Sequence, residues 1–350
     1  MIYWGPYKRL LCHACKPTFK RDIPTACLVS VLQNLGVGDT VNSYIYSEKM
    51  IDSIKLHLDY RSKFITSPKF VFLCGKQFSE KIPYFETNRG IIDKFLKSKS
   101  KDIYIVLSEQ LWEEDFNSNI DLLTFEEFLA EVSDCIILFV ESPGSFCELG
   151  AFSYADKLFS DKLAIIIDQK YVGDKSFIIT GPTAKARKDG SDIIYAPLND
   201  TGLLFSDDLR EYVERLINRF QSKRDTLNKR KPNSEEDRVS VNSFIIELLE
   251  LVKILQPVSN KDLLEIYKSV KGFSHFEFTK RDGSQFHNNI KYEYIIKLLK
   301  SVGLITIENN CIRTNKYYNT QPFMFRSSRN LECRERGRLL CRKYRYKGNV

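Results

Sequence analysis

The stretch SDCIILFVESPGSFCELGAFS, residues 133–153, decides how the chain is read. The unbroken apolar run from Cys135 to Val140 has the continuity of a strand buried on both faces. Glu141 closes the run, Ser142-Pro143-Gly144 turns the chain sharply, and a helical segment opens at Ser145 and continues over 146–159. Such a strand, turn and helix form the repeating unit of a parallel α/β sheet.

The same unit recurs on both sides. Residues 69–75 (KFVFLCG) read as a strand followed by a helix within 79–99. Residues 103–107 form a second strand with a helix over 125–132, residues 163–168 a fourth and 193–196 a shorter fifth. An amphipathic helix over 207–220 closes the series, and another over 41–60 precedes it. Five continuous apolar strands alternating with helices predict an α/β fold with a flavodoxin-like five-stranded parallel sheet over 41–222. Ligands of such sheets bind outside the carboxyl ends of the strands, where the winding changes direction.

Residues 221–237 (QSKRDTLNKRKPNSEED) are polar and place a linker at 223–239. Beyond it, helical patterns over 241–255, 261–270 and 289–302 precede two short extended runs joined by Asn309-Asn310, a pair that tolerates a tight hairpin. That order predicts a mainly helical winged-helix domain at 240–325; a small helical dimerisation module has the same pattern. Residues 1–40 form a Cys-containing head, and 326–350 a basic Arg-rich tail.

With 43% hydrophobic and 28% charged residues, the 350-residue chain is not disordered throughout. No uncharged stretch approaches the roughly 20 apolar residues of a membrane span. Nine irregularly spaced cysteines fit a reduced, cytoplasmic protein with no membrane partner. Most of the net charge of +8 lies in the tail, where Arg326, Arg329, Arg334, Arg336, Arg338, Arg342, Lys343 and Arg345 outweigh Glu332 and Glu335. Such a tail attracts a polyanion, and Tyr344 and Tyr346 can stack on unpaired bases; a solvated tail without a ligand is the plainer reading.

Two carboxylates, Glu141 and Glu148, flank the turn after the third strand. A carboxylate there can attack or stabilise an oxocarbenium-like sugar carbon, and the N–H groups of the helix start favour an anion. The same letters, Ser145-x-x-Glu148, spell a capping box, and spacing alone favours the cap. Glu141 reads equally as a loop carboxylate, and Asp134 as the cap of a strand entry. Cys12-His13-Ala14-Cys15 with Cys27 invites zinc, but His13 lies inside the pair, so no metal is expected. Neither a G-x-S-x-G elbow nor a Walker motif is present.

The run E-S-P-G-S-x-x-E-L-G-A-F resembles the signature of the nucleoside 2′-deoxyribosyltransferase-like superfamily. More closely, it resembles the effectors of retron anti-phage systems, which join such a domain to a C-terminal winged-helix region. Phe72-Leu73-Cys74-Gly75, Ser108-Glu109-Gln110-Leu111-Trp112 and residues 176–182 match as well, so the resemblance covers roughly 47–220. It implies that Glu148 is the catalytic, nucleophilic or oxocarbenium-stabilising carboxylate. It further implies that Gly75, Glu109, Asp134, Glu141, Ser142, Gly144 and Ser145 contact the substrate. Glu141 replaces a more usual Asp, which points away from ordinary deoxyribosyl transfer.

The retron-type relatives imply an N-glycosidase that hydrolyses NAD and releases nicotinamide, with NAD as substrate and no bound cofactor. Their partners are the retron reverse transcriptase and its branched RNA–DNA product, which hold the toxin inactive until phage infection; a homo-oligomer or higher assembly is left open. The alternatives are a deoxyribonucleoside transferase or hydrolase, and a nucleic-acid-binding regulator with a dead enzyme-like domain. Deleting Arg326 to Val350 should weaken nucleic-acid binding and flatten its salt dependence, by about 0.7–0.9 in slope for each phosphate that the tail neutralises. Filter binding across a salt series checks this, and unchanged binding would make the tail a solvated appendage.

Overall fold

The structure is a computed structural model that describes residues 48–58, 63–64, 68–77, 82–112, 120–154, 159–199, 202–203, 207, 209–216, 218, 238–320 and 325–326. The expected head, the linker residues 223–237 and the tail beyond Arg326 lie outside the described residues, and with them Cys12, His13, Cys15 and Cys27 and seven of the eight basic tail residues named above, all but Arg326. Among the described residues no helix is long and apolar enough to cross a membrane.

The apolar runs are strands at the expected places: β1 (Lys69–Cys74), β2 (Ile103–Val106), β3 (Cys135–Val140), β4 (Leu163–Asp168) and β5 (Asp192–Ala196). All pair in parallel, in the spatial order β2-β1-β3-β4-β5. After β2 the chain crosses over β1 to lay down β3 on its far side, so the connections leaving β1 and β3 part in opposite directions. Their carboxyl ends, at Cys74 and Val140, therefore flank an open crevice.

Alternate strand residues point to opposite faces, and both faces are covered. Phe70, Phe72, Ile136, Leu138 and Ile165 pack on one face beneath α4 (Leu122–Val132) and α5 (Pro143–Tyr154). Val71, Leu73, Ile137, Phe139 and Ile166 pack on the other beneath α2 (Asn88–Lys99) and helical residues 209–216. The helix predicted within 79–99 is shorter, because a tight turn at Tyr84–Glu86 intervenes and Thr87 caps α2, its Oγ1 accepting the Gly90 N–H at 3.1 Å. The helix expected over 41–60 is α1 (Glu48–His57) among the described residues, and one helix that was not expected, α3 (Ser108–Trp112), follows β2 directly. The segment after β4, which the sequence matched only by its letters, forms a wide turn at Ile179–Thr183 running into α6 (Ala184–Asp189).

The C-terminal helices are α7 (Val241–Leu255), α8 (Asn260–Lys271) and α9 (Tyr292–Ser301), followed by the antiparallel pair β6 (Ile305–Glu308) and β7 (Cys311–Thr314). Asn309 and Asn310 take positive φ of 49° and 59° at the hairpin turn, as that pair was expected to permit. Residues Val258–Ser259 add a third strand to this sheet, and Arg238–Ser240 pairs in parallel with Glu277–Thr279; periodicity gave no sign of either. Phe244 anchors an aromatic group, with ring centroids 4.6 Å from Tyr267 and 4.8 Å from Phe278.

These helices share the apolar cluster of the first sheet face rather than forming a separate core. Polar ties reinforce the join on the outer side of α4. Glu127 accepts from Lys280 Nζ at 2.6 Å and pairs with His287 Nδ1 at 2.9 Å. Glu131 Oε1 accepts the Arg281 N–H at 2.7 Å, and Asp121 accepts from Asn288 at 3.1 Å. Deeper in, His57 of α1 meets Glu250 of α7 at 2.7 Å, with both side chains almost fully buried. Glu250→Ala should therefore cost about 3 kcal/mol, between a lost buried hydrogen bond and a broken buried ion pair. Urea unfolding checks this, and a loss below about 1 kcal/mol would show that α1 docks without that bond.

Candidate active site at the carboxyl ends of β1 and β3

Gly75 follows β1 with φ +148°, a conformation that L side chains rarely adopt. A Cβ there would stand 3.0 Å from Glu141 Oε1 and 3.1 Å from Phe139 Cβ. The glycine thus lets the two strand ends close on each other. Glu141 is held in the gap, with Oε1 accepting the Lys76 N–H at 3.0 Å and Oε2 accepting from Asn88 Nδ2. Burial raises its carboxyl above the usual range, and these two bonds work in the opposite direction.

The turn after Glu141 differs from the expected capping box. Helix α5 begins at Pro143, whose fixed φ suits a first helical position, so Ser142 is the cap. Ser142 Oγ accepts the Ser145 N–H at 3.3 Å. The Ser145 hydroxyl turns back instead, accepting the N–H groups of Glu141 and Ser142 at 2.9 Å each and donating to the Ser142 carbonyl at 2.9 Å. Both serines are occupied in shaping the turn, and the N–H groups expected to greet an anion are partly used by it. Gly144 lies exposed in the first turn of α5, with only Ser142 Oγ within 4.0 Å of where a Cβ would stand.

Glu148 is therefore not a cap. It sits in the second turn of α5, partly buried, and its Oε2 is buried without a hydrogen-bond partner among the described residues. Burial pushes its carboxyl up to about 8, and the charges of Glu126 and Glu109 add to the rise while Arg89 opposes it. Glu126, on the inner side of α4, is pushed up to about 7, again chiefly by burial, with a hydrogen bond to Ser108 opposing and Glu109 adding. The neighbouring Cys74 thiol, fully buried, is raised by burial and by Glu148 and Glu126.

Arg89 is the cation of this group. Its guanidinium grips Glu109 through two bonds, at 2.6 Å and 3.1 Å, and donates to the Lys76 carbonyl at 2.9 Å. The arrangement brings Gly75, Glu109, Glu141, Ser142, Ser145 and Glu148 to one end of the sheet. It does not bring Asp134, which precedes β3. Asp134 Oδ2 accepts the Phe70 N–H at 2.9 Å, so it ties the amino ends of β1 and β3, about 20 Å along the strand from Glu141. Its place is structural.

Sequence reading missed Glu126, Arg89 and Asn88. The arginine left a trace, since a cation in the first turn of a helix opposes the helix dipole and needs an anionic partner. Among the described residues no group of His, Cys, Asp and Glu is arranged to hold a metal ion.

Residues 86–307 match the family described as STM3845 retron effector protein. The retron Ec86 protein of Escherichia coli, named as a proposed ribosyltransferase/DNA-binding protein, is 40% identical over 123 residues, 35% of this chain and 38% of that protein. The retron Ec73 protein of Escherichia coli, named in the same terms, is 30% identical over 224 residues, 60% of this chain and 69% of that protein.

The close approach of the two strand ends can be tested directly. Gly75→Ala should lower stability by about 1–3 kcal/mol, since the new Cβ must displace Glu141 or force the backbone from its positive φ. Thermal melts check the magnitude, and unaltered stability would show that the gap tolerates a side chain.

Proposed function

The chain belongs to the retron effector family, and from that premise we propose that it is a toxin that hydrolyses the N-glycosidic bond of NAD. The observation that carries the reading is Glu148, a desolvated carboxylate at the sheet's carboxyl end with one oxygen left unpartnered among the described residues. The strand order β2-β1-β3-β4-β5 is the flavodoxin-like one, which supports a nucleoside deoxyribosyltransferase-like catalytic domain at 41–222. Three helices followed by a hairpin support a winged-helix domain at 240–325. The relatives' names, which propose ribosyltransferase and DNA-binding roles for those proteins, fit both halves. In this reading the effector is cytoplasmic, and the reverse transcriptase with its branched RNA–DNA product restrains it.

The chemistry asks little of an acid. The bond from C1′ to the pyridinium nitrogen breaks, its electron pair neutralises the ring, and nicotinamide leaves uncharged. Glu148 faces the oxocarbenium-like carbon left behind and stabilises or captures it. Water then adds to C1′ and gives up a proton, leaving ADP-ribose. A carboxyl with its pKa near 8 is mostly protonated at pH 7, but a cationic pyridinium beside it favours the ionised form. The site thus ionises its carboxylate most readily against a positively charged leaving group. Glu141 in place of Asp adds to the case against deoxyribonucleosides.

Glu148→Gln should cut nicotinamide release by a factor of about 100 or more with the fold intact; near-normal turnover would remove Glu148 from the chemistry. The ionised carboxylate is the active form, so kcat/KM for NAD should rise with pH and level off above about 8. Glu126→Gln should move that limb to lower pH, because it removes a negative neighbour. A limb that stays put would exclude Glu126 from the site's electrostatics, and base release from deoxyribonucleosides with NAD untouched would favour the transferase reading.

A further inference from the structure

Beside Glu141 lies a cleft formed by the residues after β1, the end of β3 and the residues after β4. It offers about 150 Å³, against the roughly 300–1,000 Å³ of sites that enclose a whole small-molecule ligand. Glu148 is not among its lining residues. A space of that size holds part of such a ligand and not the whole.

Resting on the NAD reading above, we propose that this cleft seats the uncleaved nucleotide of the dinucleotide, the half that carries the second base and its phosphates. Lys76 and Lys170 face it from separate loops and supply cationic partners for phosphate oxygens. Tyr171 and the 37%-exposed Phe146 offer ring faces to a base. Asp168, at the carboxyl end of β4 and only 8% exposed, is an acceptor of the kind that takes ribose hydroxyls in parallel α/β sheets.

Two features indicate a built site rather than a surface dent. Asn88 lines the cleft and is 4% exposed; its amide nitrogen is committed to Glu141, and its buried Oδ1 has no partner among the described residues. An unused buried acceptor of that kind calls for a donor such as a sugar hydroxyl or an exocyclic amine. Lys170 is also poised: its ammonium lies 3.0 Å from Asp168 Oδ2 and 5.0 Å from the Tyr171 ring centroid, while 64% of its side chain is exposed. A phosphate drawing this ammonium away would free Asp168 Oδ2 and the ring for the nucleoside, while Asp168 Oδ1 keeps the Lys170 N–H at 3.1 Å.

The probe is adenosine 5′-diphosphate, which carries the proposed half without the scissile bond, titrated into the full chain by calorimetry. Lys170→Ala and Tyr171→Ala should each weaken its binding about tenfold, the loss expected for a phosphate contact or a stacked base. Glu148→Gln should leave it within about twofold. Lys170 is exposed and Tyr171 is half-buried against the core, and thermal melts of the variants exclude unfolding as the cause. Absence of binding, or equal affinity for wild type and cleft variants, would overturn the proposal. Diphosphate binding that needs Lys170 and Tyr171 in a protein that releases no nicotinamide would keep the nucleotide seat and sink the NAD reading. Nicotinamide release with a diphosphate-indifferent cleft would do the reverse.

Discussion

One guanidinium organises the carboxyl end of the sheet. Arg89 holds Glu109 by two hydrogen bonds and the Lys76 carbonyl by a third, so it joins the start of α2, the helix after β2 and the residues after β1. Its charge also acts on Glu141 and Glu148, and Glu126 stands close enough to raise Glu148. Arg89 is bound to Glu109 and only partly offsets the rise that burial imposes on Glu148, while Glu126 is raised chiefly by its own burial. The raised titration of Glu148 comes first from its burial, and the charges of Glu126 and Glu109, brought close by the convergence of α3 and α4, add to it.

Much of this architecture is written plainly in the chain. The five strands are legible because a strand covered on both faces must be apolar at every position, and KFVFLC, CIILFV and LAIIID are nearly so throughout. The start of α5 is less legible, because Ser142 and Ser145 can each cap a helix. Pro143 decides between them, since its fixed φ and missing N–H fit the first helical position and push the cap back to Ser142. Removing Glu148 from the cap is what leaves its carboxylate without a structural duty.

Glu126 is hidden for a different reason. In LLTFEEFLAEV the adjacent Glu126 and Glu127 look alike, and only the rotation of α4 against the sheet tells them apart. One turns inward toward Glu148, and the other outward to Lys280 and His287. The cleft residues Asn88, Asp168, Lys170 and Tyr171 are spread over more than 80 positions, and no local motif gathers them. Strand order gathers them, because β1, β3 and β4 are neighbours in space though not all in sequence.

The continuity of the core across the C-terminal helices has a consequence for how the protein comes apart. A polar stretch in the sequence suggests a hinge between independent bodies, yet Phe244, Leu248 and Ile295 belong to the same buried cluster as Phe72, Phe128 and Ile165. Water reaching one side of that cluster reaches the other. Helices α4 and α5 would still cover the sheet's first face once α7 departs, but α1 and the side of α4 that the C-terminal helices pack against would be bared, so shortening the chain at the polar stretch would yield a sticky, aggregation-prone fragment rather than a soluble half. Heating the whole protein should melt both regions in one cooperative event. The energetic boundary of the molecule is its outer surface, not the seam that its composition draws.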